Sequence, residues 1–527
     1  MKKVFVLLLL TVFTPIIFAQ GFSSLQQRKL TNALTAISNL YVDSIKDKKI
    51  VESALESVLK ELDPHSVYIP KGEVERVNEP LEGSFEGVGI QFQLFEDTLL
   101  VVQTISGCPA EKVGVMPGDR IIYINNELIA GVKMQNSDIF KRLRGQKGTE
   151  VTVKVLRGGK PALIEFRIIR DKIPIHSVDA SYMIGKDIGY IKVNNFGSST
   201  VEEFEKAFTN LQKKGMKQLI LSLQGNGGGY LNAAIGMADE FLSRNKLIVY
   251  TQGLNQPKNV AEATATGNFE TGKVIVLIDE YSASASEILS GALQDWDRAI
   301  IVGRRSFGKG LVQRQFPLID GSMMRLTVAR YYTPSGRCIQ KSYKKGYEKY
   351  EMDLSDRYKR GEFLHADSIH FADSLKYQTL NLKRTVYGGG GIMPDIFVPL
   401  DTTKYTNTHR KLVAQGIVNK VCVQYIDKNR AELKKKYPTF EKFKTSYQAD
   451  DAFMNLLVSV AEKEKIKVDS IQFETSKPLL KLQLKALVAR DLWEMNEYYQ
   501  IMDADNESLQ KAIEILQTPG AYEKILK

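Results

Sequence analysis

YSASASEILSGALQDWDRAIIVGRRSFGKGLVQ, residues 281–313, is the stretch on which the reading of this chain turns. It holds three alternating serines, Ser282, Ser284 and Ser286, then a helical run, then the apolar strand Ala299–Val302. Lys309 follows, set between Gly308 and Gly310. Just upstream, KVIVLI (Lys273–Ile278) is apolar throughout and predicts a buried strand. Ser284 then falls in a sharp strand-to-helix turn, where a hydroxyl is presented beside helix-start N–H groups. The small neighbours Ala283 and Ala285 leave room for a polypeptide to approach. Close packing with N-capping serines would produce similar letters.

A serine hydroxyl needs a base. The chain has five histidines, His65, His176, His365, His370 and His409, and none lies in a glycine-bounded apolar loop. Lys309 does. A lysine amine serves as base when it is neutral, and desolvation favours the neutral form. Serine–lysine pairs are an established variant of nucleophilic catalysis. Gln313 reaches the amine if the segment turns or bulges. A glycine-flanked surface lysine is the competing reading.

Two motifs mislead. Gly303-Arg-Arg-Ser-Phe-Gly308-Lys309 matches the opening of a P-loop, but Gly310 stands where the magnesium-binding hydroxyl belongs, and Leu311–Pro317 is not helical in pattern. Gly225-Asn-Gly-Gly-Gly229 does not fit a dinucleotide fingerprint. Its unobstructed N–H groups suit an oxyanion hole. Strands at Ile188–Val193, Gln218–Leu223, Leu247–Thr251 and Lys273–Ile278 alternate with helical runs at Thr200–Lys213 and Leu231–Leu242. That alternation implies βαβ units with the reactive loops at the strands' C-terminal ends.

Residues 79–171 read as a small β-barrel with two helices, and Ser137 is a plausible N-cap of the second. The order resembles a PDZ domain. Gly87, Val88, Gly89 and Ile90 occupy the place of that family's carboxylate-binding loop. Successive N–H groups in such a turn bind a peptide's terminal carboxylate, and the peptide adds as an edge strand. The Val88 and Ile90 side chains suggest an apolar terminal residue as the preferred ligand.

The flanks are plainer. Lys2, Lys3, the apolar run Val4–Phe18 and a small residue near Ala19 make residues 1–20 a candidate signal peptide, with an uncleaved anchor as the alternative. Export to the periplasm or cell envelope follows. Residues 21–78 carry two amphipathic helical runs, the second ending at Leu62-Asp63-Pro64; His65 beside Ser66 could suggest a hydrolase pair, but is expected to cap or bond local backbone. Lys341–Thr385 is charged and tyrosine-rich and reads as a flap or loosely ordered insertion. Helices are expected at Lys411–Asn429, Asp451–Glu464, Leu479–Glu497 and Asn506–Ile513, an added domain for assembly, substrate positioning or packing.

Taken together the motifs resemble the carboxy-terminal processing, or tail-specific, serine proteases. They are Leu62-Asp-Pro-His-Ser66, the PDZ module, Gly225–Gly229, Ser282–Glu287, Gly308–Gln313, Tyr332-Thr-Pro-Ser-Gly336 and Gly391-Ile-Met-Pro-Asp395, spread over about residues 30–400. The resemblance implies Ser284, the middle serine, as nucleophile, Lys309 as general base and Gln313 as its orienter. It implies an oxyanion hole from the Ala285 N–H and the loop near Gly228 and Gly229. It also implies an α/β multidomain architecture. A crotonase-like α/β protease core (172–400, with 341–385 inserted) carries an inserted PDZ domain, a helical N-terminal segment and a helical C-terminal extension (401–527). Relatives use the PDZ domain to gate the site, and Arg144 is the candidate residue that senses its docking. The family usually has Asp-x-Arg before the glycine loop, where this chain has Ser222 and Gln224.

Composition is that of an ordinary globular protein, 43% hydrophobic and 25% charged, with a net charge of +11 spread along the chain. No nucleic-acid module is recognisable. Three scattered cysteines, Cys108, Cys338 and Cys422, fit neither zinc nor redox spacing and read as buried hydrophobes, although one disulfide is open to them. The expected partners are proteins or peptides with accessible C-terminal tails. Homo-oligomerisation and an adaptor protein are left open, and the chemistry calls for no cofactor. A non-catalytic PDZ tail-binding scaffold on a degenerate protease core is the rival reading.

Overall fold

The structure, a computed structural model, describes residues 21–95, 97–158 and 162–526. The candidate signal peptide lies outside them.

A six-stranded sheet organises the centre. Its order is Val178–Ile184, Ile188–Val193, Gln218–Ser222, Lys273–Ile278, Ile300–Gly303 and Ile396–Phe397. The first pair is antiparallel and the rest run parallel. Parallel strands are buried on both faces, which is why they read as continuous apolar runs. Leu219, Leu221, Val274, Val276 and Ile278 pack under helices Thr200–Lys213, Leu231–Asp239 and Ala285–Asp295. The alternate residues Ile220, Ile275 and Leu277 face the other way, against Leu509, Ala512, Ile515 and Leu516 of helix Glu507–Gln517. The chain's last helices therefore complete the second layer on this central sheet.

A second sheet lies alongside, ordered Val67–Ile69, Met323–Tyr332, Leu247–Gln252 and Asn259–Glu262, with Leu311–Pro317 also paired to Met323–Tyr332. The N-terminal segment thus contributes a strand as well as helices Ser24–Leu40 and Asp47–Lys60.

The PDZ-like module is a sheet ordered Ile90–Phe95, Thr98–Thr104, Arg120–Ile124, Glu150–Leu156 and Ile164–Ile169. It is tethered by the antiparallel pair Ser84–Gly87 and Asp171–Pro174. Its longer helix is Asn136–Leu143 with Gln135 at the N-cap, so Ser137 lies inside the helix. The module rests on the C-terminal domain through an ion pair between Arg120 and Asp427 (2.6 Å) and through Gln103 Nε2, which donates to Arg490 O (2.8 Å).

Further expectations need correcting. Residues 341–385 are packed, not loose: helices Tyr347–Glu351 and Asp353–Lys359 bury Tyr350 and Arg357. The Arg357 guanidinium donates to Ser306 O and Phe307 O (2.8 and 3.0 Å), behind the loop that carries Lys309. The expected helix Lys411–Asn429 is two helices, Asn407–Ala414 and Ile417–Lys436, broken at Gly416 in the left-handed region. All three cysteines are free thiols.

Candidate active site

Strand Lys273–Ile278 delivers the chain to Asp279, whose carboxylate organises the turn. Its Oδ1 accepts the N–H groups of Tyr281 and Ser282 (3.0 and 3.1 Å) and that of Gly225 in the facing glycine loop (3.0 Å). Ser282 Oγ donates to Leu223 O and Ser286 Oγ to Asn226 O, each at 2.8 Å. Both hydroxyls are spent on backbone, while Ser284 lines a cavity of about 990 Å³. Ser284 adopts φ 55°, ψ −113°, the conformation of the first central residue in a type II′ turn. A residue with a Cβ is strained there by about 1–3 kcal/mol, so the surroundings must hold it.

Glu287 does the holding. Its fully buried Oε2 accepts the N–H of Ser284 (2.8 Å) and that of Lys309 (2.9 Å). Its Oε1 accepts from the Gly308 N–H (2.7 Å) and Ser306 Oγ (2.5 Å). Burial pushes its carboxyl pKa up, and these donors work against that rise. Tyr331 adds a second clamp, its hydroxyl reaching Ser284 O (3.1 Å) and Lys309 O.

Lys309 lines the same cavity, together with Gln313 and Arg325. Burial pulls its amine below the usual lysine range and Arg325 pulls the same way, while Glu287 and Asp63 oppose. The strand Leu311–Pro317 bulges between Val312 and Gln313. A bulge re-aims the side chains that follow it. Gln313 Nε2 donates to Thr327 Oγ1 (3.2 Å), which donates to Asp63 Oδ1 (2.9 Å). Ser66 Oγ donates to Asp63 Oδ2 at 2.6 Å and accepts the Thr327 N–H at 3.1 Å. The Leu62–Ser66 motif is therefore a buttress of the lysine hairpin. The His65 ring does not bond local backbone as expected. It meets the Tyr350 hydroxyl at 2.7 Å, and burial with the nearby Lys309 charge lowers its pKa to about 4.

The glycine loop closes over the serine. A Cβ on Gly228 would lie 2.7 Å from Ser284 Cβ and 2.8 Å from Ala283 O, at φ +101°, so only glycine fits. The Gly228 N–H donates to Asn226 Oδ1 (2.9 Å). Among the described residues no cluster of His, Cys, Asp and Glu could hold a metal ion.

In the PDZ-like module, Ile90–Phe95 is an edge of its sheet, with helix Asn136–Leu143 beside it through the Phe92–Phe140 contact (5.1 Å between centroids). The Val88 side chain is buried in the module's core, so it does not face a ligand as expected. Arg144 pairs with Glu79 (2.5 Å) and lies over the Phe85 ring. Glu79 belongs to helix Val74–Glu82, whose Pro80 and Leu81 line the cavity.

Residues 187–348 match peptidase family S41, residues 87–168 a PDZ domain, and residues 408–494 a family of unknown function. The carboxy-terminal processing protease CtpB of Bacillus subtilis is 36% identical over 323 residues, which is 61% of this chain and 66% of that protein. CtpA of the same organism is 34% identical over 344 residues, or 65% of this chain and 72% of that protein. This chain belongs to the carboxy-terminal processing protease family. A carboxy-terminal-processing protease of Bartonella bacilliformis is also similar, at 37% identity over 57% of this chain and 69% of that one.

Against the family's usual Asp-x-Arg, this chain keeps Ser222 buried and points Gln224 toward its C-terminal segment. The roles of Glu287, Tyr331 and Arg325 escaped sequence reasoning. Glu287 had one signal, its place three residues after Ser284, where a capping-box glutamate bonds the N-cap N–H. Nothing local announces its reach to Lys309.

Proposed function

We propose that this protein is a serine endopeptidase that captures C-terminal tails of proteins on its PDZ domain and hydrolyses peptide bonds near those termini. Ser284 is the nucleophile, Lys309 the general base and Gln313 its orienter. The observation that carries the reading is the shared anchor: Ser284 and Lys309 open into one cavity and hang from the same carboxylate oxygen of Glu287.

Neutral Lys309 takes the Ser284 Oγ proton as Oγ attacks the scissile carbonyl carbon. Negative charge grows on the carbonyl oxygen, where the Ala285 N–H at the helix start and the glycine loop at Gly228 and Gly229 supply donors. Because the Gly228 N–H already serves Asn226 Oδ1, Ala285 and Gly229 carry most of that stabilisation. The Lys309 ammonium then protonates the leaving amine, and the acyl-enzyme forms. Water, deprotonated by Lys309, attacks the ester and regenerates the hydroxyl.

The free edge of Ile90–Phe95 supports tail binding by strand addition, with the Gly87–Ile90 turn as the carboxylate site. The Arg144–Glu79 pair joins the PDZ module to a helix that lines the cavity, which supports Arg144 as the reporter of docking. The basic, apolar N-terminal run supports export to the periplasm or cell envelope. A fluorophosphonate probe tests the assignment. It should label the wild type once, on the peptide containing Ser284, and label Lys309→Ala far more slowly. Labelling elsewhere, or none, contradicts the reading.

A further inference from the structure

The glycine loop is tied down from an unexpected direction. Gln224, its first residue, accepts twice. Its backbone oxygen takes a hydrogen bond from Lys192 Nζ (2.9 Å), and its side-chain Oε1 takes one from Asn506 Nδ2 (2.9 Å). Lys192 sits on the neighbouring strand and is buried, with its amine 5.1 Å from the Tyr499 ring centre. Asn506 lies 282 residues along the chain, in the C-terminal segment. That segment is itself fixed. Asp503 accepts from the Tyr182 hydroxyl (2.7 Å), and Asn506 Oδ1 caps helix Glu507–Gln517 by accepting the Leu509 N–H (3.2 Å). The capped helix packs on the sheet face beneath the loop.

We propose that Asn506 and Lys192 are positioning residues for peptide hydrolysis, holding the loop from Gln224 to Gly229 where its N–H groups meet the developing oxyanion. The proposal rests on the Ser284 reading above. It gives the last helices of the chain a catalytic duty besides packing. Gly229 and Gly228 carry no side chains to anchor them. Their backbone is held at Gly228, whose oxygen accepts the Phe196 N–H (3.0 Å) and whose N–H meets Asn226 Oδ1 (2.9 Å), and at the start of the loop, where Gln224 is the link to the C-terminal segment.

The two contacts act on donors that matter only as charge develops on the carbonyl oxygen. Loosening them should lower kcat and leave KM nearly unchanged. The test uses the full chain and a fluorogenic peptide built on a cleavage site mapped in denatured casein. Asn506→Ser keeps a cap acceptor for the helix but is too short to reach Gln224, and Gln224→Met keeps the volume without the acceptor. Each should lower kcat about tenfold at unchanged KM and melting temperature. The double variant should be no slower than either single one, because both remove the same contact. Lys192→Met should also lower kcat, and Lys192→Arg should restore most of it. Single variants within twofold of the wild-type kcat, a change confined to KM, or fully multiplying losses in the double variant would each overturn the proposal. Ser284→Ala is run in parallel. If it still cleaves, the underlying reading has failed; if it is dead while the Asn506 and Gln224 variants are normal, only the brace has failed.

Discussion

Ser284 and Lys309 donate their backbone N–H groups to one oxygen, Oε2 of Glu287, at 2.8 and 2.9 Å. They come from opposite ends of a helix–strand excursion, yet a single buried carboxylate sets both of their positions. The strained backbone at Ser284 and the loop that carries Lys309 are thus one mechanical unit.

Glu287→Gln tests that unit. An amide offers one acceptor oxygen where the carboxylate offers two, and it sets N–H groups against N–H groups. Leaving buried donors unmet costs about 2–4 kcal/mol. Chemical denaturation should show that loss, and hydrolysis should fall at least tenfold. Wild-type stability and rate in this variant would count against the shared anchor.

Arg325 bears on the pH profile. Its positive charge helps keep the Lys309 amine below the usual lysine range. In the proposed mechanism the reactive form of Lys309 is neutral, so kcat/KM should rise with pH through that depressed pKa. Arg325→Gln removes a cation that disfavours protonation. The Lys309 pKa then rises, the acid limb moves to higher pH, and the rate at pH 7 falls up to about tenfold for each unit moved. Arg325→Lys should keep the limb in place. A limb that stays put or moves to lower pH in Arg325→Gln contradicts this account of the base.

His65 makes the fold sensitive to acid. Its folded pKa is about 4 against an ordinary 6.5, so the unfolded chain takes up the proton first. Stability contributed by the neutral ring is complete above pH 6.5 and is lost as pH falls toward 4, by about 3 kcal/mol in all. Urea midpoints measured across that range should fall more steeply for the wild type than for His65→Gln. Equal slopes would remove His65 from the explanation.

Gly89 separates tail capture from chemistry. It lies at φ +80°, and a Cβ there would come within 2.4 Å of Cys108 Cβ. Gly89→Ala must shift the carboxylate turn. KM for a substrate with a free C-terminal tail should rise about tenfold or more, while a short peptide too small to span from the PDZ domain to the cavity is cut as before. Unchanged KM for the tailed substrate would show that the turn is not the anchor.

Much of the catalytic core was legible in the letters. Ile188–Val193, Thr200–Lys213 and Lys273–Ile278 fall where their patterns predict, because doubly buried strands and one-sided helices leave strong local signatures. The Ser284 turn follows from local chemistry as well, whereas the bulge before Gln313 entered only as a condition on that residue's reach. What escaped was long-range. The charged insertion hides Arg357, a guanidinium that is buried because two carbonyls of the Lys309 loop receive it. Val88 reads as a ligand contact in a strand of alternating character, yet the left-handed turn at Gly89 sends it into the core. The helix Glu507–Gln517 reads as an appendage because its apolar stripe does not say which sheet it covers.

The most direct measurement is cleavage of a denatured, labelled protein by the wild type, Ser284→Ala and Lys309→Ala, with tail-peptide binding followed in parallel. The wild type should release fragments from near the C-terminus. Both variants should be slower by three orders of magnitude or more and still bind the tail with wild-type affinity. Cleavage by Ser284→Ala at the wild-type rate would contradict the central claim, and a wild type that binds tails but never cuts them would make the protein a scaffold.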